Sequence, residues 1–468
     1  MGCIACSIFL NSCIPVQDQA VKFYGPLRVS EENPRYFTDD KGKAIYLTGS
    51  HTWNNLVDMK CTDMSLADSL ETFDFVQHLQ WLKQYNHNFI RLWAWELLNW
   101  DTHGVSDEAN IYQVTPHPWV RTGPGQGLDG KPKFDLHQFN PVYFDRLKLR
   151  VKQAADEGIY VSIMLFEGWG LQFSREAFRN HPFHHDNNIN GINGDSNNDG
   201  SGVEIHTLEN KEITGIQKTY IKKVIDVVNE FDNVLFEISN ENHPPSTEWQ
   251  YHMISFVKDY EKQLAKQHPV GMTFQYKGGS NDVLMKSPAD WISPNNEGGY
   301  RDNPPTSDGS KVIVTDTDHL WGIGGNQAWV WKSFLRGLNP IFMDIYEGSV
   351  LAGKSGKFEP GWVEPIRKSM GFTLMFANRM DLITMIPEPD LASSAYCLAN
   401  RGEEYLVYLP ENREVVIDLQ DASGLFEVEW FNPDQGEFIE SESISGGSKL
   451  SFTSPFETPE VLLYLKAK

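Results

Sequence analysis

Residues 234–245 read VLFEISNENHPP. An apolar, β-branched run ends in Asn240, Glu241, Asn242 and His243, and two prolines then stop both further strand and an immediate helix. A carboxyl group delivered by a buried strand to its last turn suits proton transfer. Desolvation among aromatic faces, with no adjacent cation, raises its pKa and keeps the proton available. Glu241 has that setting, and Asn240 beside it can hydrogen bond a hydroxyl. Glu237 lies inside the strand and reads as a buried partner for a cation such as Arg91. A second acid comes from KVIVTDTDHLWGIGG, which offers Asp316 and Asp318. One carboxyl to protonate a leaving oxygen and another to attack or to activate water are the groups that glycoside hydrolysis needs.

Further polar and aromatic residues recur where apolar runs stop: His51 and Trp53, Trp95, Glu96 and Trp100, then Glu167 and Trp169. Tyr276 ends VGMTFQY, His319 and Trp321 follow the two aspartates, and Asp344 and Tyr346 end NPIFMDIYE. The elements that must position them alternate. Short β-type runs are separated by amphipathic stretches such as ETFDFVQHLQWLKQYN and ITGIQKTYIKKVIDVVNEF. Eight runs in β-then-α order predict a parallel (β/α)8 barrel, a TIM barrel, over 21–382 with its active face at the carboxyl ends of the strands. In the second run Phe89, Arg91, Trp93 and Trp95 share one parity, which puts Arg91 inside the barrel, where a cation needs carboxylate partners. An Asn-, Asp- and Gly-rich stretch within 170–206 reads as a wall of the cleft. A calcium loop there lacks the terminal bidentate Glu of an EF-hand, so no metal and no cofactor are expected. From 383 to 468 the pattern becomes short alternating strands and turns, a small antiparallel β-sandwich.

The net charge of -23 argues against a nucleic-acid partner, since phosphate binding rests on clustered Lys and Arg. The 14 Trp and 17 Tyr suit the flat faces of sugar rings. Three of the five cysteines fall in the first thirteen residues, whose apolar MGCIACSIFLNSC resembles the end of a signal peptide with a relaxed lipobox over 1–20. Export is expected, to the periplasm, the cell surface or the medium, with anchoring through a lipidated Cys13 as one form of it.

Asn-Glu at 240–241 resembles the signature of clan A glycoside hydrolases, and GPLRVSEENPRYFTDDKGKAIYLTGSHTWNNL resembles the start of their apiosidase-like (DUF4038-type) family. That resemblance implies a barrel followed by a β-domain described as collagen-binding. It also implies retention of configuration, with Glu241 as acid/base and a nucleophile on strand seven. The clan places a Glu there, whereas this chain offers two aspartates. A continued strand would turn both Asp316 and Asp318 to the axis. The shorter side chain favours Asp318, the residue further out, and leaves Asp316 to bind a cation or to orient His319. The substrate class expected is oligosaccharide or polysaccharide of plant or algal origin, bound by His51, Trp53, Arg91, Trp95, Glu96, Glu167, Trp169, Asn240, His243, Tyr276, His319, Trp321 and Asp344. A non-catalytic carbohydrate-binding barrel is the alternative. A metal-dependent amidohydrolase would need His-x-His on strand one, where GSHTW supplies one His.

Overall fold

The computed structural model describes residues 23–62, 72–104, 110–354 and 358–468, so the expected leader and its Cys13 lie outside the described residues. Eight parallel strands build the larger body: β1 (Gly49–His51), β2 (Phe89–Leu92), β3 (Tyr160–Glu167), β4 (Val234–Asn240), β5 (Val270–Thr273), β6 (Trp291–Ser293), β7 (Val312–Asp316) and β8 (Asn339–Met343). They pair in the order β1-β8-β7-β6-β5-β4-β3-β2. Asn88 bridges the remaining gap: its N–H donates to the Thr48 carbonyl at 3.0 Å, and its side-chain oxygen accepts from the Thr48 N–H at 2.9 Å. The fold is the TIM barrel that the strand and helix alternation predicts.

The barrel interior is filled in layers. Phe89, Tyr160, Leu235, Trp291, Val312 and Ile341 pack with Leu27 and Phe37 of the amino-terminal segment, which joins the core at the amino ends of the strands. Above them lies the polar layer of Arg91 and Glu237. Outside run α1 (Phe75–Gln84), α2 (Pro141–Asp156), α4 (Lys211–Val228), α5 (Thr247–Glu261), α6 (Asn281–Lys286), α8 (Gln327–Leu335) and α9 (Val363–Arg379), while the short α3 (Trp169–Phe173) and α7 (Thr317–Trp321) follow the carboxyl ends of β3 and β7. The starts of α2 and α4 follow from local chemistry. Asn140 caps α2 ahead of Pro141, and the Asn210 side chain accepts from the N–H groups of Glu212 and Ile213. In α4, Ile213, Ile216, Tyr220, Val224 and Val228 fall on one buried stripe, the helical period at work.

One region has no counterpart in the sequence reading. Between β2 and α2 the chain makes an excursion of short antiparallel strands, in which Ile111–Thr115 pairs on one side with Asn99–Asp101 and on the other with Asp58–Cys61 from the β1–α1 connection, and Trp119–Gln126 pairs with Pro132–Phe139. Ile111–Thr115 and Trp119–Gln126 are half exposed, and the second carries Gly123, Pro124 and Gly125, so neither has an apolar run long enough to announce it.

The carboxyl-terminal part is a six-stranded antiparallel sheet, with β9 (Ile386–Pro387), β10 (Cys397–Asn400), β11 (Glu404–Leu409), β13 (Leu425–Asn432), β14 (Glu437–Ser445) and β16 (Val461–Ala467) in the order β9-β10-β11-β16-β13-β14. A two-stranded ladder of β12 (Glu414–Asp418) and β15 (Lys449–Thr453) shares its core, through Val415, Ile417 and Phe452 against Val407, Trp430 and Leu463. The opposite face continues into the barrel. Leu406, Tyr408, Phe431 and Leu462 pack with Trp331 and Phe334 of α8 and Phe376 of α9 in one apolar cluster. Cys61 and Cys397 are buried and unpaired. Among the described residues no helix is long and apolar enough to cross a membrane.

Candidate active site

Arg91, on β2, is 1% exposed and fully engaged. Its Nε and Nη2 donate to the two Glu237 oxygens at 2.9 and 2.7 Å, Nη1 donates to Asp316 at 2.8 Å and lies 3.5 Å from Asp318, and Nη2 also donates to Asn240 Oδ1 at 2.6 Å. Burial alone would lower the guanidinium pKa, but the ring of carboxylates holds it above its ordinary value. Glu237 is thus the partner of Arg91.

The two strand-seven acids separate. β7 ends at Asp316, which caps α7 by accepting from the Asp318 N–H at 2.9 Å. Asp318 therefore reaches the cleft from the first turn of a helix, and period-two parity does not govern it, contrary to the continued-strand expectation. Asp316 is wholly buried. The Trp93 indole N–H donates to His51 Nδ1 at 2.9 Å, which leaves His51 Nε2–H to donate to Asp316 at 3.0 Å. Burial works to raise the Asp316 pKa, yet His51 and Arg91 hold it below the usual carboxylate range. Asp318 lies 7% exposed at the cleft, and burial, then the charge of Asp316, push it up to about 7 against Arg91 and Asn240.

Glu241 follows the last residue of β4 with φ at 43°, the left-handed region that costs a non-glycine residue on the order of 1–3 kcal/mol. The turn is held from three sides. Gln172 Nε2 donates to the Glu241 carbonyl at 2.9 Å, Thr273 Oγ1 donates to the Ser239 carbonyl at 2.8 Å, and Asn242 Nδ2 donates to Ser239 Oγ at 2.8 Å. Gly168 lets the end of β3 close on it, since a Cβ there would lie 2.3 Å from Asn242. Burial, and next the charge of Asp318, raise the Glu241 pKa well above its ordinary value. Between the two acids, Asn240 Oδ1 accepts from Arg91 and from His319 Nε2 at 3.0 Å, while Ser293 Oγ donates to His319 Nδ1 at 2.7 Å. Burial holds His319 down to about 3, so it stays neutral in this chain of bonds.

Glu241 and Asp318 open on a cavity of about 720 Å³. Trp53, Trp100, Trp169 and Trp321 line its aromatic faces, and Tyr276 and His319 also reach it. The Trp169 ring stacks on Phe173 with centroids 4.3 Å apart.

Several expected binding residues stand elsewhere. Trp95 is 2% exposed behind Trp53, to whose carbonyl its indole N–H donates at 3.1 Å, because β2 ends at Leu92 and strand parity no longer applies. Glu96 is buried between His181 and His206 at 3.4 and 3.1 Å. Both Glu167 oxygens accept from the Gly170 N–H at 2.8 and 3.0 Å, and burial pushes its pKa up to about 8. His243 bonds the Val203 carbonyl at 2.8 Å, and Asp344 pairs with Arg367. His51 and Arg91 lie beneath the cleft floor. These groups position the cleft and do not line it. Of the stretch 170–206 only Phe173 lines the cavity.

Lining residues that the sequence did not single out include Phe173, Phe274, Arg301 and Lys354. Phe274 follows β5 directly, so the strand-end rule could have found it. Arg301 and Lys354 stand on connections with no signal of their own. As for metals, Asp316, Asp318 and His319 bring ligand atoms within 4.8 Å of one another, but Arg91 already supplies the cation there.

Two family models match: DUF6298, a domain of unknown function, over 109–288, and "Putative collagen-binding domain of a collagenase" over 383–462. The model matching the barrel is thus DUF6298, and membership of the apiosidase-like family is not shown. No curated protein matches the sequence. Among solved structures the chain is similar to a protein titled glycoside hydrolase, with TM-score 0.61, 12% identity, and 95% of this chain and 97% of that one covered. It is also similar to a glycoside hydrolase family 5 protein from Bacteroides vulgatus, with TM-score 0.59, 15% identity and 95% of each chain covered. At such identities the likeness establishes the shared two-part fold.

Proposed function

We propose that this chain is a retaining glycoside hydrolase acting on plant or algal oligosaccharide or polysaccharide fragments. The observation that carries the reading is the pair Glu241 and Asp318, two buried carboxyl groups with raised pKa values that open on one aromatic-walled cavity. Burial and the Asp318 charge raise Glu241, while burial and the Asp316 charge raise Asp318, so the pair holds a proton near neutral pH, and the environments divide the roles. Asp318, beside Arg91, is the better carboxylate, and Glu241 is the better acid.

In the first step an Asp318 oxygen bonds to the anomeric carbon as the glycosidic C–O bond breaks, and Glu241 gives its proton to the departing oxygen. In the second, the Glu241 carboxylate takes a proton from water, the water oxygen bonds to the anomeric carbon, and the bond to Asp318 breaks. Arg91 and Asn240 favour the ionised form of Asp318, and His319 holds Asn240 in place. Stacking on Trp53, Trp169 and Trp321 holds the sugar faces. The resemblance at the amino terminus favours a relative of the apiosidase-like enzymes, and the aspartate in place of Glu favours a side branch acting on another sugar. Export with anchoring at Cys13 belongs to the same proposal, and mass spectrometry of the mature chain tests it.

A panel of aryl glycosides and defined polysaccharide fragments, with product stereochemistry read by NMR, tests the activity. Retention, with azide rescuing Asp318→Gly and not Asp316→Gly, is the expected result. An inverted product removes the nucleophile role from Asp318. Binding without turnover across the panel favours a carbohydrate-binding barrel.

A further inference from the structure

The stretch DSNNDGSGVE, 195–204, contributes nothing to the cavity. Its spacing begins as a calcium loop does, with Asp195, Asn197 and Asp199 at positions one, three and five and Gly200 at six. An EF-hand would place its Glu at position twelve, where this chain has His206. The fold supplies a carboxylate earlier. A 3₁₀ turn at Val203–His206 carries Glu204 back toward the loop, so that Asp195, Asp199 and Glu204 bring carboxylate oxygens within 4.8 Å of one another.

Glu204 makes this more than an acidic cluster. It is 7% exposed, and neither of its carboxylate oxygens receives a hydrogen bond from another residue. Such an arrangement is costly for a buried carboxylate and is relieved by a cation. The hydrogen bonds of Asp195 and Asp199 come from backbone N–H groups and amides of the same loop. The loop is otherwise preformed: Asp195 accepts from the N–H groups of Asp199 and Gly200 at 3.1 and 2.9 Å. The Ser201 hydroxyl and Asn193 Oδ1 are also buried without partners. All these donors are oxygens, which suits a hard cation.

We infer that residues 195–204 form a calcium site, with Asp195, Asp199 and Glu204 as its side-chain ligands. Its place in the fold gives it a structural role. The same 3₁₀ turn offers the Val203 carbonyl to His243 and sets His206 against Glu96, so the ion would brace the turn that follows Asn240-Glu241 from behind.

The test uses the full chain, stripped with EGTA and titrated with CaCl2 by calorimetry, with equilibrium dialysis for stoichiometry. One Ca²⁺ per chain is expected, with a dissociation constant on the order of 10⁻⁵–10⁻⁴ M and weaker binding of Mg²⁺. Glu204→Gln should weaken binding at least about tenfold. Asp199→Asn should do the same, and because Asp199 is exposed that variant cannot be dismissed as misfolded. Calcium should also raise the melting temperature of the parent chain and slow its cleavage within 195–204, and should do neither in the variants. Less than stoichiometric binding at millimolar calcium, or undiminished binding by both variants, overturns the inference. None of these readouts requires turnover, so they stand apart from the glycosidase proposal.

Discussion

Asp316→Asn is the perturbation that separates the two strand-seven acids. Asp316 accepts from His51 Nε2 at 3.0 Å, Arg91 Nη1 at 2.8 Å and the Asp318 N–H at 2.9 Å. An amide offers one acceptor oxygen and turns an NH2 group toward donors. With charge-assisted bonds worth about 1.5–3 kcal/mol each, the variant should lose roughly 3–5 kcal/mol of stability in urea unfolding. Its effect on Asp318 runs the other way. The two carboxylates lie within 4.8 Å, where unit charges at an effective dielectric of about 20 repel by about 3.5 kcal/mol. Arg91 and His51 offset part of that, and burial, the larger cause of the raised pKa, remains. The acidic limb of kcat/KM, expected near the Asp318 pKa of about 7, should therefore move down by about one pH unit, equivalent to about 1.4 kcal/mol, with plateau activity held within about tenfold. Asp318→Asn should instead cost about a thousandfold or more, roughly 4 kcal/mol of barrier. A limb that stays put or rises in Asp316→Asn, or a plateau loss matching that of Asp318→Asn, would refute the reasoning.

Glu241→Gln should lose most activity on natural glycosides and far less on aryl glycosides with very good leaving groups, and equal losses on both would reject the acid role. Trp169→Ala and Trp321→Ala should each raise KM by an amount corresponding to about 0.5–2 kcal/mol with little change in kcat, and unchanged values would make these rings packing alone. Glu167 has a folded-state pKa raised by burial to about 8, so the stability of its protonated form is fully present below about pH 4.5 and is lost as pH rises through 8. Thermal melts should show Glu167→Gln removing on the order of 3 kcal/mol of that pH dependence between pH 5 and 8, and an unchanged slope would assign it to other groups.

What the chain order alone determined was the architecture, because it is written in local periods. Alternating strand and helix runs imply a parallel barrel, the change of pattern near 383 implies a β-domain, and an apolar run ending in Asn-Glu marks a strand-end carboxyl. The inward parity of Arg91, and with it the need for Glu237, follows from the alternation of side chains along a strand. Tertiary structure decided what lies beyond the strand ends. Trp95 turns behind Trp53 once β2 stops at Leu92, and Asp318 rises on a helix that Asp316 caps. Glu96, Glu167 and Asp344 are consumed by histidines, a backbone turn and Arg367, partners distant in sequence or held by loop geometry. Glu204 joins Asp195 only because a 3₁₀ turn brings it back. The physical reason is common to all of these: period-two and 3.6-residue patterns specify which face a side chain takes within an element, whereas loop conformation and long-range pairing, which they do not encode, select its neighbours.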